Sequence, residues 1–236
     1  MTGLVESWAR QIGWQTCAAN AIVEGEIDVA LIRHARGLFL TAHRIDILGG
    51  DLAVLAAGRG DDGGVDGVNR RLSAARQLAD VDLGPDGSSR FRFIGLFDND
   101  TAGRRAMQRA CDFDRRIIPY QDVFLLHPVM PPASGSTGPI VEHRAKALNG
   151  HLRLDWEIED LLSPRLLRAF QAANPGAVVK ETTAGTFRHR DFTRQGKTGL
   201  LRFVRDQAAL EDVMDVVRLV CALRDYLQLP FNHIPV

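Results

Sequence analysis

Two short apolar runs that each end in carboxylates constrain this chain more than any other feature. The first is Ala21-Ile22-Val23, followed by Glu24-Gly25-Glu26-Ile27-Asp28. The second is Phe93-Ile94-Gly95-Leu96-Phe97, followed by Asp98-Asn99-Asp100-Thr101-Ala102-Gly103-Arg104-Arg105. Each reads as a buried strand that delivers acidic side chains at its carboxyl end, just before a helix begins. In an open parallel sheet that end is where ligands collect. Carboxylates converging on one point repel each other, and a hard divalent cation relieves the repulsion. The pattern predicts an α/β fold with a Mg²⁺ or Mn²⁺ site suited to phosphodiester chemistry.

The same residues resemble the Toprim domain of topoisomerases, bacterial primases and a group of nucleases. Glu24 stands in the Glu-Gly-x-x-Asp-like setting after a first strand, and Asp98 and Asp100 form the Asp-x-Asp after a later one. The resemblance covers roughly residues 20 to 127. It implies a mostly parallel sheet flanked by helices, with Glu24, Asp98 and Asp100 as metal ligands and catalytic residues.

Composition sets the outer bounds. The chain has 236 residues, 45% apolar and 25% charged, which is ordinary for a globular protein. Its formal net charge is zero, so any affinity for nucleic acid rests on how charge is distributed. Cys17, Cys111 and Cys221 are isolated and lack metal-ligand spacing; they read as small buried hydrophobes in a reducing compartment. The start of the chain does not read as a signal peptide, and no apolar run approaches the roughly 20 residues of a membrane span. A cytoplasmic protein is expected.

Hydrophobic periodicity predicts an N-terminal amphipathic helix within residues 1–19, and helices over 26–38, 65–79 and 102–113. Strands are predicted near 21–23, 52–56, 91–97 and 122–126. Residues 44–48 are also strand-like, separated from 52–56 by Gly49-Gly50, as either a hairpin or one bent strand. The glycine-dense stretch 58–64 reads equally as a surface turn or as a loop near the site. The Pro-, Gly- and Ser-rich segment 128–140 is a linker or long loop, which divides a core over 20–127 from a C-terminal α+β extension over 141–236. In that extension helices are expected over 157–173 and 209–228, with a hairpin over 177–195 that turns at Ala184-Gly185.

Beyond the linker lies a third acidic cluster, Asp155-Trp156-Glu157-Ile158-Glu159-Asp160. Acidic residues are also what a helix dipole favours in a first turn. The run resembles one in OLD-family (overcoming lysogenization defect) nucleases, a Toprim branch. That resemblance makes Glu159 a further metal ligand, with Glu157 a weaker choice. It gives Asp28 a role in holding a second metal; the alternative for Asp28 is a helix cap. From Lys180 to Arg205 seven cations face only Glu181 and Asp191, with Phe187, Phe192 and Phe203 interleaved. Arg188, Arg190, Arg194 and Lys197 are therefore expected to hold nucleic-acid backbone, unless the hairpin is merely solubilising. The OLD resemblance gives Lys197 charge stabilisation at the scissile phosphate, with Lys180 as the fallback. His189 sits among arginines, a position from which it could contact phosphate.

The function these readings favour is a two-metal Toprim endonuclease or nickase acting on DNA. Full OLD proteins carry a fused ATPase, and no Walker motif is present here. By that analogy the chain is an anti-phage effector with a separately encoded ATPase or sensor, and it allows a homo-oligomer. Two alternatives stay open: a primase-like nucleotidyl transferase, which the Asp98–Gly103 run fits nearly as well, and a non-catalytic Toprim binding module.

Overall fold

A computed structural model describes residues 3–58, 62–133, 135–150 and 154–230. Four parallel strands form the main sheet: β1 (Ala19–Val23), β2 (Leu52–Ala56), β3 (Arg92–Phe97) and β4 (Val123–Leu125), in the order β2-β1-β3-β4. The chain goes outward from β1 to β2, then returns across β1 to lay down β3 and β4. The order thus reverses between β1 and β3, and the crevice at their carboxyl ends is the topological switch point.

The strands alternate between two cores because successive side chains point to opposite faces. Ala21, Val23, Leu52, Val54, Ile94, Leu96 and Phe124 face one core. Ile22, Ala53, Leu55, Phe93, Phe97, Val123 and Leu125 face the other. Helices α1 (Leu4–Gln11), α3 (Gly64–Ala79) and α4 (Thr101–Phe113) cover the second face. The first is covered by α2 (Glu26–His43), α5 (Gly138–Asn149), α6 (Pro164–Ala173), α7 (Arg194–Gln207) and α8 (Met214–Tyr226). An antiparallel pair, β5 (Val178–Ala184) and β6 (Phe187–Phe192), turns at Gly185, whose φ of 59° is left-handed.

The fold is therefore α/β, a parallel sheet flanked by helices with a small α+β extension. The first core runs on from the sheet into α6, α7 and α8, across the 128–140 segment. Tyr226 Oη donates to Pro131 O at 2.7 Å, and Ala133 N–H donates to Asp225 at 2.8 Å, which holds that segment against α8.

Several expected elements are redrawn. Residues 44–48 form a turn, not a strand: Asp46 pairs with Arg36 at 2.6 Å and accepts the Leu48 N–H, and Gly49 and Gly50 take φ of 63° and 76°. The N-terminal helix stops at Gln11. Residues 157–173 divide into a 3-10 turn, Ile158–Leu161, and α6, where Ser163 caps and Pro164 opens the helix. Residues 209–228 divide likewise into a 3-10 turn, Leu210–Val213, and α8. α5 begins within the Pro/Gly-rich segment itself. Of the 58–64 loop, 59–61 lie outside the described residues. Among the described residues no helix is long and apolar enough to cross a membrane.

Candidate functional site

Glu24 leaves β1 and Asp98 leaves β3, so the switch point carries both. The Asp98 N–H donates to Glu24 Oε1 at 3.0 Å, tying the two strand ends together. Asp28 lies in the first turn of α2, and its carboxylate accepts the Gly25 N–H at 2.8 Å. Asp100 is the N-cap of α4 and accepts the Gly103 N–H at 2.6 Å. Gly103 is required there: a Cβ would lie 1.9 Å from Asp98 O. The end of the glycine-rich loop supports Glu24, whose carbonyl accepts the Gly64 N–H at 3.0 Å.

The third acidic cluster joins them through a backbone clasp. Asn99 N–H donates to Trp156 O at 2.9 Å, and Trp156 N–H donates to Asn99 O at 3.2 Å. Arg104 bridges the same two segments, reaching Asn99 O at 2.8 Å and Asp155 at 2.9 Å. Glu157 and the buried Glu159 follow at once. Lys197, in the first turn of α7, places Nζ 2.9 Å from Glu157 Oε2 and 3.3 Å from Glu159 Oε1. Those two oxygens are buried and accept no well-aligned hydrogen bond, which leaves each paired with the ammonium alone among the described residues' ion pairs.

Lys197 thus contacts two carboxylates, Glu157 and Glu159, and lies within electrostatic reach of Glu24, Asp28 and Asp98, while Asp100 acts on Glu24. Burial, then the neighbouring charges of Asp100 and Glu157, raise Glu24 to about 7 against the pull of the Asp98 N–H and Lys197. Burial and Glu159 raise Asp28 to about 7 as well. Asp98 is pushed well above the usual carboxylate range by burial and by Glu24, Asp28 and Glu159. Burial also raises Glu157. For Lys197 burial acts downward, but Glu159, Glu157 and Asp98 outweigh it and hold the ammonium charged.

Among the described residues no group of three or more His, Cys, Asp or Glu side chains is arranged to hold a metal ion. Glu24, Asp28 and Asp100 each accept a main-chain N–H, and Glu157 and Glu159 share Lys197. The donor set nevertheless fits a hard divalent cation, because it is all oxygen, strongly anionic for one lysine, and includes two buried oxygens without a hydrogen bond.

The expected nucleic-acid contacts fare differently. Arg188 and Arg194 are exposed, although Arg188 pairs with Glu181 at 2.9 Å. Arg190 is corrected: it is buried, with its guanidinium 3.2 Å from Glu181, and cannot reach a phosphate backbone. His189 is also corrected. It is buried between Asp160 at 2.6 Å and Asp191 at 2.9 Å. The start of α7 is not an open anion site, because Gly196 and Lys197 N–H groups already donate to Thr193. Lys180, the fallback, is exposed on β5, with no ion pair to the carboxylates among the described residues. Tyr120 and Tyr226 are buried, with their hydroxyls bonded to His127 at 2.8 Å and Pro131 O at 2.7 Å.

Sequence reasoning missed the Asn99–Trp156 clasp and the part played by Asp160. The Asp160 carboxylate accepts the Glu157 N–H at 3.0 Å, the Arg190 N–H at 3.1 Å and the His189 ring, which fixes the turn that presents Glu157 and Glu159. Only the proximity of Asp160 to Glu159 in sequence hinted at it.

Comparison with known proteins finds no matching family model, no matching curated protein and no matching solved structure. Fold and site together define a parallel α/β protein with an acidic, lysine-bridged cluster at its sheet's switch point.

Proposed function

We propose that this chain is a metal-dependent nuclease, an endonuclease or nickase that hydrolyses DNA phosphodiesters. The observation that carries this reading is the gathering of Glu24, Asp28, Asp98, Glu157 and Glu159 within electrostatic reach of Lys197 at the switch point, with Asp100 acting on Glu24. The resemblance of the two acidic motifs to Toprim nucleases supports it.

Glu24, Asp98 and Asp100 would hold one Mg²⁺ or Mn²⁺, and Asp28 and Glu159 would help to hold a second. Such ions supply Lewis acidity toward a phosphate and an activated water. The protein's own share is orientation and charge. The Asp98 N–H fixes the Glu24 carboxylate, and the Asn99–Trp156 clasp sets the spacing between the Asp98 and Glu159 segments. Lys197, held charged by its neighbours, would offset negative charge that builds on the phosphate. Arg188 and Arg194, exposed on the same extension, would add non-specific backbone contacts.

The test is cleavage of supercoiled plasmid with Mg²⁺ or Mn²⁺, wild type beside Asp98→Ala. Metal-dependent nicking that disappears in the variant is the expected result. Nicking that persists in Asp98→Ala would overturn the assignment. Incorporation of labelled nucleotides on a single-stranded template, with no nicking, would favour the transferase. As the analogy to fused OLD enzymes has it, a separate ATPase or sensor would release the activity, and nicking that rises when such a neighbour is added would support that part.

A further inference from the structure

A second feature lies along the outer edge of β2. This strand pairs with β1 alone. Ala19 N–H donates to Asp51 O and Ala57 N–H to Val23 O, so odd-numbered residues of β2 bond to β1. Alternation then turns the N–H and C=O groups of Leu52, Val54 and Ala56 outward. Two of these are covered: Leu52 N–H donates to Leu48 O at 3.1 Å, and Ala56 O accepts Trp14 Nε1 at 2.8 Å. Among the described residues, both main-chain groups of Val54 lack a partner, as do Leu52 C=O and Ala56 N–H.

This edge is the floor of a groove of about 1320 Å³. One wall is α2 and the other is the 12–17 segment, so the opening continues the sheet between its two layers. The lining carries Arg33, Arg36, Arg71 and Arg205 against Glu26 and Asp62, an excess of positive charge, and Arg33 and Arg205 are exposed with no ion pair among the described residues. Edge strands normally blunt themselves against pairing. Here one Trp covers one carbonyl, and the centre of the strand is left open.

We propose that this groove binds an extended acidic segment of a partner protein, which adds a strand to β2 while its carboxylates meet Arg33 and Arg205. The free main-chain groups favour a peptide over a nucleic-acid strand: a phosphate backbone has no N–H donors for the Leu52 and Val54 carbonyls. Charge complementarity selects an acidic peptide. It also disfavours a second copy, whose Arg33 and Arg205 would face their own kind. A match to β2 needs about five residues, or roughly 17 Å of strand. This docking is independent of the nuclease reading.

The test uses the full chain and a fluorescein-labelled octapeptide of alternating Val and Glu, followed by anisotropy. Controls are its Val/Lys counterpart and the same acidic peptide with N-methylated backbone. Saturable binding is expected for the acidic peptide alone. It should weaken at least tenfold in Arg33→Glu/Arg205→Glu and in Val54→Pro, which removes an outward N–H but no bond to β1. If Val54→Pro fails to fold, loss of binding by the N-methylated peptide supplies the same answer. Absence of binding, or equal binding by the N-methylated peptide, would overturn the proposal. So would tighter binding of a single-stranded oligonucleotide that competes for the same arginines.

Discussion

His189 Nδ1 stands 2.6 Å from Asp160 Oδ2, and both side chains are buried. This pair joins β6 to the 3-10 turn that carries Glu157 and Glu159, so the hairpin's structural task is to hold one edge of the acidic cluster. Removing one member of a buried pair strands the other's charge. His189→Ala should therefore cost about 3 kcal/mol of stability, read by urea denaturation. In contrast, Arg194→Ala should cost under about 0.5 kcal/mol.

The same pair predicts a pH dependence. Burial acts to lower His189, but Asp160 and then Asp191 raise it to about 9, above its ordinary 6.5. A group raised on folding contributes stability that is complete below its unfolded value and disappears as pH rises through the folded one. Wild-type stability should thus decline between about pH 6.5 and 9. The His189→Ala variant should lose that part of the slope; an unchanged slope would mean that the imidazole is neutral in the fold.

The acidic cluster gives a prediction of the same direction from a different cause. Glu24 and Asp28 are raised to about 7, so ionising them destabilises the metal-free fold. The penalty is absent at pH below about 4, where folded and unfolded carboxyls are both protonated, and grows up to about 7. Glu24→Gln keeps an acceptor for the Asp98 N–H and removes one charge. In EDTA its Tm should rise by about 2–4 °C at pH 7.5, corresponding to about 1 kcal/mol. Plasmid nicking by the same variant should vanish. A lower Tm would show that the charge is already neutralised in wild type.

How far the sequence discloses this arrangement depends on range. Glu24, Asp98, Asp100 and Gly103 were legible because each follows a buried strand directly, and local order places them. Lys197 and Glu159 needed the family resemblance, since nothing local aims α7 at the 3-10 turn. For Asp160 the sequence held only its place beside Glu159: its partners on β6 come from a hairpin that the tertiary fold brings near. Arg190 and His189 misled for the same reason, because a basic run looks solvated until Glu181, Asp160 and Asp191 are seen facing it. Residues 44–48 alternate like a strand, but the Arg36–Asp46 pair and two left-handed glycines turn them.

Lys197 allows its charge to be separated from its packing. Lys197→Met retains most of the aliphatic volume and leaves Glu157 and Glu159 without their cation. Stability at pH 7.5 in EDTA should fall by about 2–3 kcal/mol, and nicking should fall at least a hundredfold. Adding Mg²⁺ should then raise the variant's Tm more than the wild type's, because an ion that binds only the folded state stabilises it by mass action. Equal shifts would place the ion away from Glu157 and Glu159.

Asp100 caps α4, and the proposed metal-facing role of its charge can be tested apart from that cap. Its Oδ1 accepts the Gly103 N–H at 2.6 Å, and Asn at an N-cap does this as well as Asp. Asp100→Asn should therefore leave stability within about 0.5 kcal/mol of wild type, whereas Asp100→Ala should cost about 1 kcal/mol. If the carboxylate also serves the reaction, nicking should fall sharply in both variants, including the one whose fold is intact. If Asp100→Asn nicks like wild type, the residue is only a cap, and Glu24 with Asp98 must suffice for the ion. Urea denaturation beside plasmid nicking for the two variants separates these outcomes, because stability reports the cap and activity reports the charge.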